Sequence, residues 1–243
     1  MVRGQQGPGQ VGLSYKETAE AITSFLEIII HTLLCIRSIY PPSTFTRRRA
    51  HGVPVYQSRH PQVREYVAEV IAAMGKEIMG GTMRRCTVVV KRVEDGLPVE
   101  RYILDLGYLG VGMESHQKDA GLQGAPTADE LSLMLRGLLI RLSALDGQLE
   151  DNRGELTFAI IVETKDDLEP SSNVPADGST PPWIPALATD TLQQPSQAPP
   201  DCPAQHEPLL HVKAVETGVI DMRLMVQECV AKTGLDRLKP LPA

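Results

Sequence analysis

Apolar residues crowd the stretch Phe25-Leu-Glu-Ile-Ile-Ile-His-Thr-Leu-Leu-Cys-Ile36 so densely that no polar stripe remains, the pattern of a helix buried on most sides. Upstream, Ser14-Tyr-Lys-Glu17 has the spacing of a capping box, so a first helix is expected from about Tyr15 to Ile39, stopped by Pro41-Pro42. A loop carrying Arg47-Arg48-Arg49 and Gly52-Val-Pro54 should follow. Then Ser58 or His60 caps a second helix with Pro61 in its first turn, ended by Gly80-Gly81. In it Val63, Tyr66, Val67, Val70, Ile71, Met74 and Ile78 recur at three- and four-residue intervals, an amphipathic stripe suited to lie on a sheet.

The period then changes. Cys86 to Val93 and Val99 to Leu106 are β-branched and aromatic-rich runs joined through Glu94-Asp-Gly-Leu-Pro98, which reads as a hairpin. A glycine-rich loop from Gly107 to Pro126 leads to a second capping box, Thr127-Ala-Asp-Glu130, and a third helix with Leu131, Met134, Leu135, Leu138, Leu139, Leu142 and Leu145 inward and Arg136 and Arg141 outward. Leu156 to Val162 is apolar on both sides, the pattern of a central strand covered on both faces. From about 166 to 208 Pro, Ser, Asp, Gln and Thr dominate and periodicity is lost, yet Leu209 to Val215 and Val219 to Val226 alternate again as two more strands. Helices and strands are interwoven, which defines one α+β domain over 14–230. Unstructured connections beyond about 12–15 residues inside such a domain are uncommon and usually functional or disordered. Residues 1–13 and 231–243 read as tails.

Composition adjusts this picture by exclusion. With 24 Lys and Arg against 30 Asp and Glu, the formal net charge of −6 disfavours a general nucleic-acid coat or a polybasic membrane binder. The longest apolar run is shorter than the ~20 residues that span a bilayer and carries Glu27 and His31. The first dozen residues lack a secretory signal. Four dispersed cysteines without a CxxC pair suit reduced thiols. Cys202, His206 and His211 lack a fourth matched ligand, so no metal and no cofactor is expected.

Chemistry-bearing motifs are sparse. The Gly107-Tyr-Leu-Gly110-Val-Gly112 cluster has no Lys-Ser/Thr to hold phosphate, and no GxSxG elbow or HExxH appears. Arg47 to Arg49 reads as solvated loop charge, as a direct contact to DNA phosphate or as part of an import signal. Tyr66 is either core packing or a ligand contact. Trp183, the only tryptophan, stands in the polar segment Thr180-Pro-Pro-Trp-Ile-Pro185, where it pins the loop, anchors a partner, or both.

The run Tyr40-Pro-Pro-Ser-Thr-Phe45, Arg47-Arg-Arg, Val53-Pro-Val55, Ser58, His60-Pro61 and Tyr66-Val67, continued by Val99-Glu100, Leu135-Arg136, Phe158, Pro182-Trp183-Ile184 and the terminal strand pair, resembles the HORMA-domain accessory subunits of the translesion DNA polymerase zeta. The resemblance implies three helices on a mostly antiparallel sheet and a C-terminal safety belt, about 166–230, that wraps a partner peptide. It further implies a non-catalytic nuclear adaptor, present in the cytoplasm as well, that reaches DNA only through partners and binds no membrane. A short proline-containing peptide of the polymerase catalytic subunit would meet Tyr66, Trp183, Ile184 and Pro185, the last standing where the family has leucine. The C-terminal domain of a deoxycytidyl-transferase-type translesion polymerase would dock on Leu209, Arg223 and Met225, the latter two replacing an amide and a tyrosine. Arg136 would serve a HORMA dimer, and a remodelling ATPase of the AAA+ class would reset the belt. The same-fold alternative is the spindle-checkpoint paralogue; the alternative from another class is direct DNA binding through Arg47 to Arg49.

Overall fold

The Ser14 hydroxyl accepts from the Glu17 backbone N–H at 3.2 Å while the Glu17 carboxylate accepts from the Ser14 N–H at 2.9 Å, so the first capping box closes and starts α1, Tyr15–Ile36. The computed structural model describes residues 12–109, 118–165, 183–187, 190–191 and 209–233. Helix α1 ends three residues before the expected Ile39, because Ser38 takes a positive φ of 52° and leaves the helical path. It is long and apolar enough to cross a membrane by composition, but Phe25, Leu26, Ile29, Ile30, Leu33 and Leu34 are wholly covered by protein. It is the core helix.

The segment expected as a loop is instead an antiparallel ribbon, β1 (Phe45–Ala50) and β2 (Val53–Ser58). Its two-residue turn, His51-Gly52, has positive φ at both positions, 49° and 76°, as a type I′ hairpin requires. Val53 and Val55 are buried, and the Tyr56 N–H donates to Thr32 Oγ1 of α1. Tertiary packing therefore makes these strands, and the three arginines of β1 hide the alternation. Helix α2, Pro61–Gly80, ends at Gly81, whose φ of 73° is the left-handed cap that glycine supplies.

The main sheet contains β3 (Met83–Arg92), β4 (Pro98–Tyr108), β5 (Leu156–Thr164), β6 (Leu209–Val215) and β7 (Ile220–Glu228), antiparallel throughout in the order β5-β3-β4-β7-β6. Helix α3, Ala128–Leu145, starts at the closed Thr127–Glu130 box and packs its leucines into the core with α1, α2 and one face of the sheet. The short α4, Val230–Thr233, follows β7. One expectation fails: β5 is not central. Among the described strands it pairs only with β3, and most of its side chains are half-covered; the two-sided apolar run reflects an edge strand leaning on α2, whereas β3 and β4 are buried on both faces.

Of the tail expected over 231–243, Lys232 is drawn into a buried ion-pair network; likewise Leu13 of the expected 1–13 tail donates its N–H to the Pro126 carbonyl. Residues 1–11, 234–243 and most of the 166–208 segment, with Cys202 and His206, lie outside the described residues.

Candidate partner-peptide site

At the open side of β5, α2 and the sheet bring aromatic rings together. The Tyr66 ring meets Phe158 edge-to-face at 5.6 Å, and Phe158 meets Tyr40 at 6.2 Å. Burial raises the Tyr66 hydroxyl above its ordinary value, against a hydrogen bond with the Ile160 backbone that works to lower it. The residue stays 39% exposed. The two readings of Tyr66 thus converge: its ring packs, and part of it faces solvent beside an edge strand able to accept another.

The segment around Trp183 is held at two points. Trp183 is half-buried against the core. Asp190 is buried and pairs with Lys91 of β3 at 2.9 Å. Between these anchors Ile184 is 81% and Leu187 63% exposed, and Pro185 is exposed too. A pinned stretch that presents large apolar side chains to solvent is the arrangement of a docking surface. The Lys91–Asp190 anchor was not foreseen from sequence; an isolated Asp in a Pro-rich stretch, 99 residues from its partner, carries no local signal.

The second set of residues lies on the terminal hairpin. In register, Leu209 faces Gln227, His211 faces Met225 and Ala214 faces Arg223, so Leu209, Met225 and Arg223 share one face over three rungs. Leu209 and Arg223 are exposed and Met225 is buried between them. Arg136 sits apart, exposed on α3, with its guanidinium beside the tip of the β1–β2 ribbon: a Cβ at Gly52 would lie 3.5 Å from it.

A buried polar cluster holds this hairpin's end. Glu100, fully covered, accepts from Arg37 at 2.5 and 3.2 Å, from Lys232 at 2.5 Å and from the Tyr102 hydroxyl at 2.8 Å. Arg37 also donates to Asp146, and Lys232 to Glu228. Burial works to raise the Glu100 carboxyl, but the Arg37 bonds and the charges of Arg37 and Lys232 outweigh it and hold the group below its usual value. The only sequence signal was a charge inside a β-branched run, and its partners stand 63 and 132 residues away. Among the described residues no group of His, Cys, Asp and Glu could hold a metal ion.

Three helices on one face of an antiparallel sheet, with an edge strand on one side and the terminal hairpin on the other, are the arrangement of the HORMA fold, and the chain has that fold. No family model matches the chain. In sequence it is related to the mitotic spindle assembly checkpoint protein MAD2B, being 24% identical to that of Danio rerio over 215 residues, 88% of this chain and 92% of the relative. It is also related to the DNA polymerase zeta processivity subunit of Schizosaccharomyces pombe, 26% identical over 155 residues, 64% of this chain and 72% of the relative. Among solved structures it resembles a chain of the mitotic checkpoint complex (TM-score 0.66, 16% identity, 88% of this chain and 99% of that one). Another is C. elegans HTP-2 bound to HTP-3 closure motif 1 (TM-score 0.64, 10% identity, 93% and 97%).

Proposed function

We propose that this chain is the non-catalytic adaptor of a zeta-type translesion polymerase, clasping a short proline-containing peptide of the catalytic subunit. The observation that carries the reading is the edge of β5: Tyr66 and Phe158 line it, and an anchored segment offers Ile184 and Leu187. An added strand would gain main-chain hydrogen bonds on β5 and set its alternate side chains against those groups. Two related facts support the choice: relatives are named as polymerase zeta subunits, and a structural neighbour holds a closure motif. The exposed Leu209 and Arg223 on the far hairpin would take the second polymerase, so that one small domain bridges two enzymes in the nucleus.

A belt that must open before release acts on dissociation rather than association. An added barrier of about 5 kcal/mol lengthens residence by three to four decades. The test is to purify the tagged protein from its own cells in high salt and identify what remains bound by mass spectrometry. A large B-family polymerase is the expected result. Recovery of spindle-checkpoint proteins instead would assign the chain to that pathway, as the name of its MAD2B relatives suggests, and an empty bait would overturn the clasp.

A further inference from the structure

We propose that the β1–β2 ribbon, together with Arg136, binds the phosphate backbone of nucleic acid without reading its sequence. Arg47, Arg48 and Arg49 occupy three successive positions of an exposed strand. Among the described residues none of the three has a carboxylate within ion-pair distance, whereas Arg37, Arg85 and Arg92 are each paired with one. In a chain of net charge −6 this is a local concentration of uncompensated positive charge.

The ribbon also positions that charge. Arg47 and Arg49 share a face with their register partners Tyr56 and Pro54, and Arg48 falls on the other, so the strand is cationic on both sides. Among the described residues strand β1 pairs only with β2, and the type I′ turn brings the ribbon tip to the Arg136 guanidinium. Four cations thus cluster on the ribbon and at its tip, Arg47 and Arg49 on one face and Arg48 on the other, and the ribbon is held to α1 by Thr32.

Phosphate suits this cluster better than an acidic protein does. Protein interfaces draw their energy from buried apolar anchors, and no large apolar side chain of the ribbon is exposed. Phosphate contacts need charge alone and fix position, not sequence. Four neutralised phosphates give a log K against log salt slope of about −3.6 on duplex and about −2.8 on single strands, with weak affinity, Kd on the order of 10⁻⁴–10⁻⁶ M. The ribbon would therefore supplement the partners' hold on DNA, and the inference stands whether or not a peptide is clasped.

The test is fluorescence anisotropy of the full chain with a labelled duplex and a labelled single strand of arbitrary sequence, from about 50 to about 200 mM salt. Arg47→Ala/Arg48→Ala/Arg49→Ala should flatten the slope by about 2–3 and weaken binding equally on unrelated sequences. The matching triple lysine variant should keep both, and Arg48→Glu alone should flatten the slope by more than one. Absence of oligonucleotide binding at low salt, a slope indifferent to the triple alanine variant, or binding of a poly-glutamate peptide in place of DNA would each overturn the proposal.

Discussion

His31 is 2% exposed inside α1, its Nδ1 has no hydrogen-bond partner among the described residues, and its Nε2 lies 4.0 Å from the Glu27 carboxylate. Burial, and then the positive charge of Arg64, push its pKa down from 6.5 to about 4. The unfolded chain takes up this proton near pH 6.5 and the folded chain only near 4, so between those values the unfolded state binds more protons. Its contribution is complete above the upper value and fades as pH falls across the window, by about 3 kcal/mol in all. Urea unfolding at both ends of the window should show the loss, and His31→Leu should flatten it; an unchanged slope would place the titration elsewhere. Glu100 acts lower on the scale: with its folded pKa depressed below 4.5, its stabilisation is present above that value and is lost as pH falls through the folded pKa. Glu100→Ala strands the covered Arg37 and Lys232 charges and should cost about 3–5 kcal/mol at neutral pH. A midpoint shift at constant m-value is the readout.

At the scale of elements, Trp183→Ala should weaken a clasped peptide by about 2–4 kcal/mol if the indole is a central anchor. A change under about 0.5 kcal/mol by calorimetry, with circular dichroism unchanged, would make it a surface residue. Tyr66→Ala should weaken the peptide more than Tyr66→Phe, which keeps the ring on Phe158 and loses only the Ile160 bond. How far these elements were legible follows from where their information lies. Two closed capping boxes are local signals and gave the starts of α1 and α3, while Pro61, a three-four period and Gly80-Gly81 gave α2. Ribbon β1–β2 was missed because its order comes from Val53 and Val55 burying themselves while its other strand reads as charge. The place of β5 was misjudged because an apolar run states burial, not which edge of the sheet is open. Tyr66, Trp183 and Ile184 were singled out through resemblance as expected peptide contacts; Lys91–Asp190 and the Glu100 cluster were not foreseen, since their members meet only in three dimensions.

Over the whole molecule, the last described strand in the chain is not the last in the sheet: β7 lies between β4 and β6, with α4 directly after it. Lys232 of that turn reaches back to Glu100 of β4 and to the Glu150 carbonyl, so the hairpin cannot leave β4 without drawing an ammonium out of a site where its side chain is 6% exposed. Opening would therefore break the β4–β7 ladder and a buried ion pair together. If a clasped peptide is released only when this hairpin yields, Lys232→Met, which keeps the stem and removes the charge, should leave association unchanged. Dissociation should be at least about tenfold faster, each 1.4 kcal/mol of lost closure giving one decade. Arg223→Ala, on the same hairpin but exposed, should leave that rate alone. Biolayer interferometry with an immobilised peptide separates the two rates. Equal dissociation from wild type and Lys232→Met would mean that the peptide leaves without the hairpin moving, and that release is governed at the Trp183 side of the sheet.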